Sequence, residues 1–169
     1  MSSVISSWKV ALLALLGGVL LSACSGDPEE MKSHDGGMAK RNGIELIEAT
    51  ARATTPGMST SAAYMIIRNT GREVLQLEAL ESPVANRTEL HTTVMQDGAM
   101  KMQQVEDFQV KPGEEAVLKP GGYHVMLMGL KKAIAAGDKV PVTLTFTNGN
   151  NITVEAVAMK EIKGQGMAH

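Results

Sequence analysis

Four histidines, twelve methionines and a single cysteine make up the soft-metal donors of this 169-residue chain. His91 and His124 lie in strand-like segments, and each has methionines at positions that share its face. The segment from His91 to Met102 is centred on Gln96-Asp97-Gly98, and Asp-Gly suits the positive φ angles of a type I′ hairpin turn. A Gln96-Asp97 loop sets His91 opposite Met102. An Asp97-Gly98 loop sets His91 opposite Gln104 and diagonal to Met102. In both registers His91 and Met102 project from one face of the ribbon. In the run Tyr123-His124-Val125-Met126-Leu127-Met128, period two places His124, Met126 and Met128 together. Imidazole with thioether suits Cu(I), whereas carboxylate-poor, thiolate-free surroundings suit neither Mg or Ca nor structural zinc.

Other methionines read differently. Met100 and Met128 share faces with Met102 and Met126 and serve either as substitute ligands or, preferred here, as a soft apolar rim. Met58 and Met65 read as packing residues. Met31, His34 and Met38 near the start, and Met167 with His169 at the end, offer a second, weaker copper position or are simply polar, unstructured sequence.

The same inventory removes several function classes. A blue-copper electron carrier needs a thiolate beside two histidines, and the only cysteine, Cys24, lies far from both. Disulfides and thiol redox pairs are excluded for want of a second cysteine. No nucleophile elbow, phosphate loop or third domain histidine supports catalysis, so the chain is not read as an enzyme. A net charge of −2 without basic clusters argues against nucleic acid.

The elements that must position these residues are short β-type runs near 44–51, 62–68, 74–80, 88–95, 100–108, 116–118, 123–127, 140–147 and 152–162. Turn signals separate them, among them Asn69-Thr70-Gly71, Lys111-Pro112-Gly113, Pro120-Gly121-Gly122 and Asn148-Gly149-Asn150. Many short strands with Gly, Pro and Asn turns predict an all-β sandwich or barrel. Residues 130–136 read as a possible helical turn.

Ahead of these runs, residues 10–21 form an apolar stretch too short to span a bilayer, behind the single charge of Lys9. Leu21-Ser22-Ala23-Cys24 resembles the bacterial lipobox, in which cleavage precedes an acylated cysteine. The expected organisation is a lipoprotein signal peptide at 1–23, then lipidated Cys24 with a polar linker at 24–43. A single sandwich domain at 44–162 and a frayed tail at 163–169 follow. The resulting protein would be periplasmic and membrane-anchored, and Ser25 after the cysteine points to the outer membrane.

Counting from His91 gives ten residues to Met102, twenty-one more to His124, and one more to Met126. This H-x10-M-x21-H-x-M pattern resembles the signature of the PCuAC-type periplasmic copper chaperones. Glu89-Leu90-His91, Gly98-Ala99-Met100-Lys101-Met102 and the block 120–130 resemble that family too, and the likeness extends over 44–157. The resemblance implies a cupredoxin-like antiparallel β-sandwich with His91, Met102, His124 and Met126 as Cu(I) ligands. It also implies a carrier whose partner is the copper subunit of cytochrome oxidase or another copper chaperone; the expected state is a monomer. Copper resistance or storage at the same site is the alternative.

Overall fold

The period-two patterning becomes strands in the computed structural model, which describes residues 36–162. In chain order they are β1 (Gly37–Arg41), β2 (Ile44–Arg52), β3 (Thr60–Asn69), β4 (Leu75–Glu81), β5 (Ala85–Gln96) and β6 (Ala99–Gln104). There follow β7 (Gln109–Val110), β8 (Glu115–Leu118), β9 (His124–Leu130), β10 (Lys139–Phe146) and β11 (Asn151–Met159). No helix occurs among the described residues. Alternation is cleanest in the β10–β11 hairpin, where Val140, Val142, Leu144 and Phe146 are buried together with Ile152, Val154, Ala156 and Ala158. Their neighbours face outward, as expected of a sheet with one face on the core.

The strands run in the order β6-β5-β9-β3-β2-β11-β10-β4-β7, with β1 added to β2 and β8 to β3. Every pairing is antiparallel except β2 with β11, which is parallel. The strip curls until β4 meets β5 and β7 meets β3, enclosing the core between two layers. The fold is thus an all-β, cupredoxin-like sandwich. Core packing also decides which way the histidines point. Leu90 and Val125 are register partners across β5 and β9, and both are buried on the core face. The next pair along, His91 and His124, must then emerge on the opposite face, because a one-residue slip would expose Leu90 and Val125.

Three segments differ from the sequence expectation. Strand β1 falls within the stretch expected as linker. It is short, mostly exposed and bears charges, so it lacks an apolar period. Its signal was Asn42-Gly43, whose φ values of 47° and 76° make the two-residue turn joining Arg41 to its partner Ile44. Lys40, directly opposite Glu45, forms an ion pair with it. That pair holds the Glu45 carboxyl below the usual carboxylate range. The segment beyond Leu130 has no helical turn. Its anchor is Ile134, buried and tied to Thr54 through the N–H of Thr54 to its carbonyl at 2.8 Å and its own N–H to the Thr54 Oγ1 at 2.9 Å. The run 100–108 is strand only as far as Gln104, the end of β6, and β7 begins just beyond it at Gln109. The signal peptide at 1–23, Cys24, Met31, His34, Met167 and His169 lie outside the described residues.

Candidate metal centre

The Asp97-Gly98 turn selects between the two hairpin registers. Asp97 and Gly98 have φ of 55° and 75°, the type I′ geometry, and Gln96 pairs with Ala99. His91 therefore lies opposite Gln104, and Met102 opposite Thr93. On its other side β5 pairs with β9, setting His91 directly across from His124 and Glu89 across from Met126. The two imidazole centroids are 6.2 Å apart. Met102, Met126 and His124 line one cavity of about 200 Å³ together with Tyr64 and Met58.

Each histidine is fixed through one ring nitrogen. His124 Nδ1 is 2.9 Å from the Gly122 carbonyl oxygen, within the turn that precedes β9. In that turn Pro120 and Gly121, the latter at φ 79°, form a type II bend closed by the Gly122 N–H donating to the Lys119 carbonyl at 3.0 Å. His91 Nε2 is 2.9 Å from Glu89 Oε2, and Glu89 is in turn 3.1 Å from the Arg87 guanidinium. A carbonyl and a carboxylate can only accept, so the ring protons sit on His124 Nδ1 and His91 Nε2. The opposite nitrogens, His124 Nε2 and His91 Nδ1, are left with free lone pairs. Both are buried and neither has a hydrogen-bond partner. A buried acceptor without a partner costs about 1–3 kcal/mol, so each of these nitrogens is a candidate ligand atom.

The surroundings are apolar and soft. His124 is 3% exposed and packs beside the Tyr64 ring at 6.5 Å. Burial raises the Tyr64 phenol above its ordinary pKa, with Arg52 opposing, so the hydroxyl stays neutral. Met102 differs, being 63% exposed on the outer strand β6. Among the described residues no three His, Cys, Asp or Glu side chains cluster to hold a metal. His91 stands across the ladder from His124 but does not line the cavity that His124 shares with Met102 and Met126. Imidazoles with thioethers are a donor set suited to monovalent copper rather than to zinc or calcium.

Of the remaining methionines, Met65 is fully buried, as expected of packing, but Met58 is 44% exposed and lines the cavity mouth. Met128 lies 3.5 Å from the Arg87 guanidinium, which donates to its sulfur. Glu89 went unread as a partner of His91. The signal for it was Glu at i−2 on a strand, the spacing that places a carboxylate on the histidine's own face.

A family model described as "Putative lipoprotein LpqE-like" matches residues 44–158. The chain belongs to the LpqE-like family. One relative, "Putative lipoprotein Lxx21020" of Leifsonia xyli subsp. xyli, is 37% identical over 124 residues, which cover 73% of each protein. The solution structure of CuI-DR1885 from Deinococcus radiodurans is 33% identical, with TM-score 0.55, covering 68% of this chain and 77% of that one. The copper-bound PCuAC domain from PmoF2 superposes with TM-score 0.62 over 73% of this chain and 98% of that domain. At 19% identity that likeness is one of fold alone. The PCuAC resemblance read from the motif spacing thus agrees with the family and with the structural neighbours.

Proposed function

We propose that this protein is a copper(I) carrier of the bacterial cell envelope. In this reading one ion is held by His91 Nδ1, His124 Nε2 and the thioethers of Met126 and Met102, then passed on by ligand exchange. The observation that carries the reading is the pair of buried, partnerless ring nitrogens on directly opposed histidines. Likeness to a protein 33% identical that was solved in its CuI form supports copper as the cargo. Soft, neutral donors favour Cu(I) over Cu(II) and, without a thiolate, leave the ion exchangeable. The exposed Met102 is the ligand a partner can displace first.

The acceptor in this proposal is the dinuclear copper centre of cytochrome oxidase, met directly or through another copper chaperone. The two fixed gaps of the signature support that assignment. Cys24 carries the lipid anchor, supported by the lipobox-like sequence and by the lipoprotein name of the Leifsonia xyli relative. The anchored protein faces the periplasm, tethered to the outer membrane, and works as a monomeric carrier rather than an enzyme.

The test is an anaerobic Cu(I) titration against a chromophoric competitor, with X-ray absorption on the loaded protein, repeated on His91→Ala and Met126→Ala. One tight equivalent with mixed nitrogen and sulfur scattering, weakened in both variants, is expected. Variants that bind like the parent would return the protein to an envelope sandwich without a metal role. A deletion strain that loses oxidase activity at low copper supports delivery; copper sensitivity alone would reassign the site to resistance or storage.

A further inference from the structure

Beyond His91 the β5–β6 hairpin leaves the sheet. β9 begins at His124, opposite His91, so Thr92 to Gln96 have only β6 beside them. The result is a two-stranded arm standing past the histidine pair. Its ladder places Thr93 opposite Met102 and Met95 opposite Met100. Side chains two apart share a face, so Met95, Met100 and Met102 all project from the side that carries His91. All three are largely exposed, at 71%, 69% and 63%. Exposed methionine is unusual, since the side chain is among those most often buried. Three on one face of an arm that needs no core contact are not explained by packing. The arm's other face carries Thr92 opposite Gln103 and Val94 opposite Lys101, and Lys101 lies 3.8 Å from Asp97 in the turn.

We infer that Met95, Met100 and Met102 form a second, outer Cu(I) position on the hairpin arm, through which the ion passes between the histidine pair and an acceptor. This inference rests on the copper reading above. Directly opposed residues have Cβ atoms about 4.5–5.5 Å apart, and methionine's three rotatable bonds let two such sulfurs close on one ion. Met100 and Met102 are about 7 Å apart along the strand, within reach of the same ion. Met102 belongs to both sets and acts as the pivot. As the ion moves outward it keeps the Met102 sulfur, loses its bonds to His91, His124 and Met126, and gains bonds to Met95 and Met100. Copper stays in the +1 state throughout and no proton is moved, because every exchanged ligand is neutral.

The test uses the full chain in detergent, with methionine ε-methyl groups labelled for NMR, titrated anaerobically with Cu(I). The first equivalent should shift the Met102 and Met126 methyls, and a second should shift those of Met95 and Met100. In the double variant M95L/M100L the second equivalent should be lost and transfer of the first ion to a competing chelator slowed, with first-equivalent affinity unchanged. Met95 and Met100 methyls that stay in place at two equivalents, or a double variant that transfers at the parental rate, overturn the outer position and leave the histidine site standing. A parent that takes up no first equivalent overturns the copper reading and this inference with it.

Discussion

Replacing Glu89 by alanine removes the carboxylate that fixes which His91 nitrogen is protonated. The contact is 2.9 Å long and joins a carboxylate to a ring N–H, the stronger, charge-assisted kind of hydrogen bond. Both side chains are largely shielded, at 15% and 18% exposure, so water replaces the carboxylate poorly. Without it the proton is free to occupy Nδ1, the nitrogen proposed above to bind copper, and the ring is free to turn. Loss of such an outer partner typically weakens metal binding by about 10–100-fold, or about 1.4–2.7 kcal/mol. Glu89→Ala should therefore reduce Cu(I) affinity within that range. Glu89→Gln, which keeps an acceptor oxygen but no charge, should fall between it and the parent. Arg87→Ala leaves the Glu89–His91 contact in place and should cost less than either. The assay is chelator competition under reducing conditions, paired with ¹⁵N NMR of the His91 ring to read the tautomer directly. Parental affinity in Glu89→Ala together with a mixed His91 tautomer would refute the reasoning, because it would show that ring orientation does not limit binding.

Other consequences can be checked with standard methods. A ligand that binds only the folded state stabilises it by about 2.7 kcal/mol at one hundred times its Kd, so copper loading should raise the melting temperature of the parent but not of His124→Ala. Gly37→Ala places a Cβ 1.8 Å from the Glu155 carbonyl oxygen, a backbone clash that should pry β1 off. Faster amide exchange in β1 and β2 with unchanged copper affinity is expected, and unaltered exchange would contradict it. The Tyr64 phenol has its pKa raised above 10.0 by burial, so the folded state holds that proton more tightly than the unfolded chain. Its contribution to stability persists up to about pH 10 and is lost as pH climbs toward the native value. Tyr64→Phe should flatten the fall in stability over that alkaline window, as read from urea midpoints. Leu127→Ala empties a fully buried site on the strand that carries His124 and should cost about 2–5 kcal/mol.

Much of the architecture was legible because it is written in local signals. Period two, Pro-Gly and Asp-Gly turns and the single unpaired cysteine lead to a sandwich, to its strand positions and to the shared face of His124, Met126 and Met128. The hairpin register was narrowed to two choices, and Asp97-Gly98 with positive φ at both residues selects the one that sets His91 diagonal to Met102. What was not legible depends on contacts between distant segments. No local pattern says that β5 and β9, some thirty residues apart, align His91 with His124 rather than with a neighbour; the shared burial of Leu90 and Val125 does. Strand β1 escaped notice because its attachment is an ion pair and a tight turn, neither of which produces an apolar period.

In the proposed site the donors divide by exposure, and that division bears on transfer. The imidazoles are fixed: two hydrogen bonds set their tautomers, and the core beneath sets their direction. The thioethers grade outward from Met126, half-buried on β9, to Met102, exposed on β6, to the arm tip. A carrier must bind firmly enough to load and loosely enough to unload, and four rigid ligands would defeat the second requirement. Placing the preorganised donors inside and the flexible ones outside lets an acceptor replace ligands one at a time, starting from the side it can reach. Stiffening only the outer ligand tests this. A Met102→His variant that held copper no more tightly than the parent yet released it to an acceptor more slowly would show that mobility at this position, rather than affinity alone, governs transfer.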